Sequence, residues 1–176
     1  MEDLDKKSLI EALLFISGEP LDPKDIRKIT DFSDEEISVS LNELVDEYRS
    51  RSGGFLITEI AEGYQIVTNP EFAPWIRKLK STTTTAKLSI AALETLSMVA
   101  YKQPITKVEI EQLRGVNSDG VVKSLLEKRL IKILGKKEVP GKPMLYGTTR
   151  EFLQFFGLKD LSELPTLKEL QRDDSL

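Results

Sequence analysis

The chain repeats its own pattern of apolar and turn residues at an offset of 84 positions. Pro20-Leu21 aligns with Pro104-Ile105, and apolar residues align on both sides of this pair. The aligned positions are Leu14 and Phe15 with Met98 and Val99, Ile26 and Ile29 with Ile110 and Leu113, and Ile37 and Leu41 with Val121 and Leu125. Charged residues do not follow the alignment, which indicates a shared architecture rather than a shared surface. A chain of 176 residues with this repeat predicts two small domains of the same fold.

Apolar spacing and capping residues predict the same series of elements in each half. In the first half, one helix ends at Gly18, a second begins at Asp22-Pro23, and the capping-box pair Ser33 and Glu36 begins a third. Alternating residues around Glu62-Gly63 then predict a β-hairpin. The second half predicts helices over residues 90–100, 106–113 and 118–127, and a hairpin of residues 130–134 and 144–147. An aromatic helical segment follows each hairpin, and we expect its rings to close the core: Phe72 and Trp75 in the first half, Phe152, Phe155 and Phe156 in the second.

Three helices followed by a two-stranded wing form a winged helix-turn-helix module. We therefore predict a mainly α fold with small β-hairpins, of the α+β class, built from two tandem winged helix-turn-helix domains. The N-terminal domain is expected at residues 1–80 and the C-terminal domain at residues 88–160. Residues 81–87 contain a run of threonines that predicts a linker, and residues 161–176 are expected to form a C-terminal tail.

The sequence contains neither cysteine nor histidine. Thiol and imidazole nucleophiles, zinc sites built from these ligands and disulfides are therefore excluded. Neighbouring carboxylates such as Glu35 and Glu36, or Glu109 and Glu111, diverge on a helix, and no glycine-rich phosphate loop occurs. We expect no enzyme activity, no catalytic residue, and no bound cofactor or metal. The acidic first residues and the lack of a long apolar run favour a cytoplasmic protein without membrane contact.

Charge is divided unevenly along the chain. Residues 1–85 carry 10 Lys and Arg against 17 Asp and Glu, whereas residues 86–157 carry 12 against 7. Because affinity for DNA comes chiefly from Lys and Arg on phosphates, the acidic third helix of the first module is unsuited to a DNA groove. The second module is ambiguous between weak, non-specific DNA contact and a solvated basic face. Its candidate DNA contacts are Lys123, Lys128, Lys136, Lys137 and Lys142, joined by Arg129 and Lys132.

The first predicted helix is apolar over a wider arc than one small core requires. The surplus is buried within the same domain, against the second module or against a second copy of the chain, and we favour self-association. The candidate dimer contacts are Leu9, Ile10, Leu13, Leu14 and Ile16.

Five stretches of the chain closely resemble the ScpB family of bacterial chromosome-partition proteins. They are Ala12–Leu21, Gly63–Phe72, Ala92–Thr106, Glu109–Ile131 and Pro140–Pro165. The resemblance covers nearly the whole chain up to Leu170 and implies a non-catalytic accessory subunit with two winged-helix domains. It further implies a homodimer, formed mainly by the N-terminal domain, and binding of the kleisin ScpA, largely by the C-terminal domain. ScpA in turn closes the ring of the SMC ATPase, which places the protein in the cytoplasm in association with the chromosome.

Family motif positions in the second module are the candidates for kleisin binding. They are Tyr101, Gln103, Arg114, Ser118, Tyr146 and Thr148, with Pro104, Gly115, Gly120 and Gly147 beside them. Of these, Tyr101, Arg114 and Tyr146 are favoured, because tyrosine and arginine frequently anchor interfaces. Turn formation and helix capping are the structural alternatives for Gly115 and Ser118. The alternative function is a winged-helix transcription regulator, which would bind a specific operator with a steep dependence on salt.

Overall fold

The computed structural model describes residues 5–80, 88–166 and 169. The described residues fall into two compact units, one drawn from 1–83 and 157–176 and the other from 84–156. The linker predicted at residues 81–87 and the tail beyond Leu170 lie outside the described residues.

The first unit contains four helices and one hairpin before its C-terminal segment. They are α1 (Lys6–Ser17), α2 (Pro23–Ile29), α3 (Asp34–Ser50), β1 (Phe55–Ile60), β2 (Gly63–Thr68) and α4 (Ala73–Leu79). The predicted helix starts are confirmed: Asp22 accepts a hydrogen bond from Lys24 N–H with Pro23 in the first turn, and Ser33 and Glu36 form a capping box.

The two strands of this unit pair antiparallel from Phe55 opposite Thr68 to Ile60 opposite Gly63. A further bridge joins Leu21 to Tyr64, so β2 lies between β1 and the segment before α2. The core is formed by one face of each of the first three helices and by β1. Its fully buried side chains are Ile10, Leu14, Ile26, Ile37, Leu41 and Leu44.

The second unit repeats this arrangement. Its elements are α5 (Ile90–Lys102), β3 (Ile105–Thr106), α6 (Lys107–Arg114), α7 (Asp119–Glu127), β4 (Ile131–Lys136), β5 (Met144–Thr148) and α8 (Arg150–Phe156). The strands form an antiparallel sheet in the order β3, β5, β4. The pairing of Ile105 with Tyr146 corresponds to the Leu21–Tyr64 bridge of the first unit. The structure thus confirms the α+β class and shows two winged helix-turn-helix units, with the short strand β3 as an element that the sequence did not predict.

Some apolar residues expected in the cores lie at the surface instead. Ile29 and Leu113, which the repeat aligns, are both at least half exposed, whereas Ile26 and Ile110 one turn earlier are fully buried. The aromatic segments do not close the cores as expected, except through Phe152, which is buried. The other aromatic rings of these segments, Phe72, Trp75, Phe155 and Phe156, are exposed. The short helix α8 buries only Phe152 and Leu153, and α4 has no fully buried residue, so the other aromatic rings of these segments remain in contact with water.

The segment after α8 contacts the hairpin turn of the first unit. The N–H groups of Ala61 and Glu62 donate to the carbonyl oxygens of Leu158 and Lys159, at 2.8 and 2.9 Å. Residues 157–160, which the sequence analysis placed with the second domain, therefore group with the first unit, as does the described part of 161–176. We call residues 157–163 the C-terminal strap.

Candidate functional site

A glutamine side chain joins the end of α5 to β5 in the second unit. Gln103 Oε1 accepts a hydrogen bond from Thr148 N–H at 2.8 Å, and its Nε2 donates to the Ala100 carbonyl oxygen at 3.2 Å. The hydroxyl of Thr148 lies 3.1 Å from the same Nε2. Thr148 is buried and Gln103 is half-buried, so these two candidate site residues hold the sheet against the helix.

Gly147 lies beside this contact, at a position where a larger residue would meet two neighbouring side chains. A Cβ atom at this position would lie 2.6 Å from Leu134 Cδ1 and 2.7 Å from Gln103 Oε1. Both distances are far below van der Waals contact, so a side chain at position 147 would displace Leu134 and the hydrogen-bonded Gln103.

Arg114 and Ser118 also face the interior of the second unit. The Arg114 side chain is 8% exposed, and its Nη1 donates to Ser118 Oγ at 3.0 Å while Nη2 lies 3.6 Å from Glu94 Oε2. Ser118 is fully buried, and its N–H donates to Glu111 Oε1. Because these polar groups bind one another, they brace the turn between α6 and α7 and do not present a surface to a partner.

The remaining kleisin candidates lie nearer the surface. Tyr101 is 41% exposed and Tyr146 is half-buried. The residues after Tyr101 open into a shallow groove of about 460 Å³ between the end of α5, β3 and α6. The groove is lined by Lys102, Pro104, Ile105, Glu109, Gln112 and Leu113. Apolar side chains therefore alternate with charged and amide groups across this surface.

The carboxylate of Glu109 is fixed at one wall of this groove. It accepts a hydrogen bond from Lys137 Nζ at 2.7 Å and, in a capping box, from Thr106 N–H at 2.8 Å. These contacts, with the lysine first, lower the pKa of Glu109 to about 2. The group is ionised at neutral pH and acts as a cap rather than as a proton donor.

The apolar arc of α1 divides into a buried and an exposed part. Ile10 and Leu14 are buried in the core of their own unit, which removes them from the candidate dimer surface. Leu9 and Leu13 are half-buried, and Ile16 is exposed together with Phe15. Residues four apart share a helix face, so Ile10 and Leu14 belong to the core-facing stripe.

The candidate DNA contacts also divide. Lys123 lies 3.9 Å from Glu127 and Lys137 binds Glu109, so a carboxylate lies beside each of these two lysines. Lys128, Lys136 and Lys142 are exposed.

No cluster of three or more potential metal ligands occurs among residues 5–80, 88–166 and 169. In the same part of the chain, no helix is both long enough and apolar enough to span a bilayer.

Comparison with known proteins identifies the family. The family model of the segregation and condensation complex subunit ScpB matches residues 8–167, which span both units. The chain belongs to the ScpB family. The family description is that of a complex subunit concerned with chromosome segregation and condensation.

Two relatives named segregation and condensation protein B illustrate the similarity. The protein from Syntrophotalea carbinolica is 52% identical over 169 residues, covering 96% of this chain and 85% of its own. The protein from Clostridium botulinum is 47% identical over 169 residues, covering 96% and 88%. A solved dimer of an ScpB N-terminal domain complexed with an ScpA peptide is 30% identical and covers 42% of this chain and 91% of its own. Its TM-score is 0.39, which is too low to support a structural argument.

Sequence reasoning missed two parts of the surface of this ScpB-family chain. The repeat predicts that Leu113 lies in the core, but Leu113 and its aligned counterpart Ile29 are both exposed. Both residues lie one helical turn beyond the last buried residue of their helix. Trp75, which was expected to close the core, and Leu79, which the sequence analysis does not mention, are both exposed apolar residues of α4. Helical spacing gives the position of a residue around its helix but not the element that covers it.

Proposed function

We propose that this chain is a non-catalytic subunit of a condensin-like SMC–kleisin complex that acts in chromosome condensation and partition. It homodimerises and binds the kleisin ScpA, through which it meets the SMC ATPase in the cytoplasm at the chromosome. The observation that carries the proposal is the match to the ScpB family model over both units. The exposed apolar surfaces of the two units support it, and the residues proposed below are chosen from them.

The exposed end of α1 is the surface we assign to the dimer. Phe15 and Ile16 are 73% and 78% exposed, although both belong to a helix whose other face is fully packed. Burying a side chain of this size is worth about 1.5–3 kcal/mol relative to water. In a two-fold dimer each residue counts twice, because both protomers present the same surface.

Tyr101 and the adjoining groove are the surface we assign to the kleisin. Tyrosine joins a large apolar ring to a polar hydroxyl and is enriched among residues that dominate binding energy. Leu113 gives the groove an exposed apolar side chain, and Lys102 and Glu109 give it a charged rim. This combination suits a kleisin segment with apolar side chains and polar flanks. A dimer would present two such grooves and would raise the avidity for a partner that spans both.

The dimer is tested by light scattering over a dilution series. Ile16→Glu places one unpaired carboxylate from each protomer in the interface, and we expect the dimer to weaken by about 100-fold or more. Leu79→Glu is the matched control, because it adds the same charge at an exposed apolar position of α4. Dissociation of the Leu79→Glu variant with an intact Ile16→Glu dimer would move the interface to α4. A wild-type monomer at every concentration would refute self-association.

The kleisin site is tested by calorimetric titration with the ScpA-type kleisin of the same organism. Tyr101→Ala combined with Leu113→Ala should weaken binding by about 30-fold or more, while light scattering shows an unchanged dimer. Phe155→Ala removes another exposed aromatic ring from the same unit and should leave the affinity unchanged. Equal affinity in the double variant would exclude this surface, and no complex with the wild type would refute the proposed function.

A further inference from the structure

The lysine and arginine side chains of the second unit differ in whether a carboxylate lies within ion-pair distance of them. Four are held by acidic side chains, in the pairs Lys107–Asp119, Arg114–Glu94, Lys123–Glu127 and Lys137–Glu109. Six others are exposed and have no described carboxylate within 4.0 Å: Lys102, Lys128, Arg129, Lys132, Lys136 and Lys142. Five of these six lie along one edge of the unit.

That edge is formed by β4 and the two connections at its ends. Lys128 and Arg129 come directly after α7 and before the strand, Lys132 and Lys136 lie within it, and Lys142 is in the loop that leads to β5. Since β4 is the outer strand of the sheet, no described strand lies beyond it. Six residues of strand span about 20 Å. We call these five residues the wing-edge cations.

The structure of the wing does not itself require them. Lysines on an outer strand hinder unwanted strand pairing, but this explains only Lys132 and Lys136. The corresponding outer strand of the first unit, β1, reads Phe-Leu-Ile-Thr-Glu-Ile and carries no cation. Its one charged residue, Glu59, is an anion and pairs with Lys159. The same fold therefore forms a wing without lysines.

We propose that the wing-edge cations bind the phosphates of duplex DNA without sequence preference. Duplex DNA presents one negative charge per about 1.7 Å of its axis, so an edge of about 20 Å meets several phosphates. Flexible lysines contact phosphates as point charges and do not read bases, for which forked side chains in a groove are needed. The helix α7 adds little, because its Lys123 is paired and Asp119 and Glu127 are anionic. One carboxylate, Glu138, lies in the wing loop, and the net charge of the edge stays positive.

Fluorescence anisotropy with a labelled duplex, at several salt concentrations, tests this site with the full chain. About three to five phosphate contacts give a slope of about −2.7 to −4.5 in a plot of log affinity against log salt. Affinity should then fall by about 40- to 500-fold between 50 and 200 mM salt. Changing Lys132, Lys136 and Lys142 together to Gln should reduce the slope by about 2.7. Duplexes of unrelated sequence should bind equally.

The matched control changes Lys107, Lys123 and Lys137 to Gln. It alters the net charge by the same amount, but removes cations that carboxylates already neutralise. Circular dichroism confirms that both triple variants are folded. Equal losses in the two variants would show that binding follows net charge alone and would overturn the proposal. No binding at 50 mM salt, or equal affinity for phosphatidylglycerol vesicles, would also overturn it. The proposal does not depend on ScpA, so its failure leaves the proposed function intact.

Discussion

Replacing Gln103 by alanine tests whether a residue expected at the kleisin surface instead holds the second unit together. The substitution removes the acceptor of Thr148 N–H and the donor to Ala100 at one time. Thr148 is only 8% exposed, so water has little access to the N–H group that loses its partner.

The expected cost follows from that one buried group. A buried donor left without an acceptor costs about 1–3 kcal/mol, and the 3.2 Å hydrogen bond to the carbonyl oxygen of Ala100, which is also 8% exposed, is lost with it. We expect the free energy of unfolding of the second unit to fall by about 2 kcal/mol, which raises its open population by about 30-fold.

Hydrogen exchange followed by mass spectrometry measures this change in the full chain without a partner. Amides of β4 and β5 should exchange faster in Gln103→Ala. The only tryptophan, Trp75, lies in the first unit, so its fluorescence in a urea titration should be unchanged. Gln112→Ala is the matched control, because Gln112 is exposed on α6 in the same unit. Protection of β5 equal to that of the control would refute the structural role of Gln103.

Two further predictions concern proton binding and the C-terminal strap. The pKa of Glu109 is lowered by Lys137, so its stabilising effect is complete above pH about 4.5 and is lost as the pH falls towards 2. In the Glu109→Gln variant, the urea midpoint of the full chain should therefore vary less with pH between about 2.5 and 5. Circular dichroism measures this midpoint, and a pH profile equal to that of the wild type would contradict the assignment. Deleting residues 157–176 removes the acceptors of Ala61 and Glu62 N–H and should destabilise the first unit by about 1–2 kcal/mol. A urea titration followed by Trp75 fluorescence measures this loss, and deletion of residues 167–176 serves as the control. Equal urea midpoints for the two deletion variants would exclude a stabilising role of the strap.

The repeat made most of the backbone predictable. Helices that the offset of 84 aligns begin at Lys6 and Ile90 and at Pro23 and Lys107, as the caps before them indicate. These features are local, because a cap or a turn depends on residues within one helical turn.

Burial of polar residues was not predictable in the same way. Arginine and serine are common at interfaces, yet Arg114 Nη1 donates to Ser118 Oγ inside the unit, and the buried Arg114 Nε has no hydrogen-bond partner among the described residues. The contacts of the C-terminal strap could not be predicted for another reason. Leu158 and Lys159 bind the hairpin turn through their backbone carbonyl oxygens, which every residue possesses. Contacts of this kind depend on tertiary structure, and side-chain patterns do not report them.

Comparison of equivalent positions in the two units distinguishes the residues that the fold requires from the residues that determine the surface charge. Buried positions such as Ile26 and Ile110 match across the repeat, and both wings pair in the same antiparallel manner. The outer strand β1 carries Glu59 as its only charged residue, whereas the equivalent strand β4 carries Lys132 and Lys136. Because one backbone tolerates both signs of charge, folding does not account for either surface. The exposed charges and the exposed apolar residues are therefore the positions where substitutions should alter binding while leaving each unit folded.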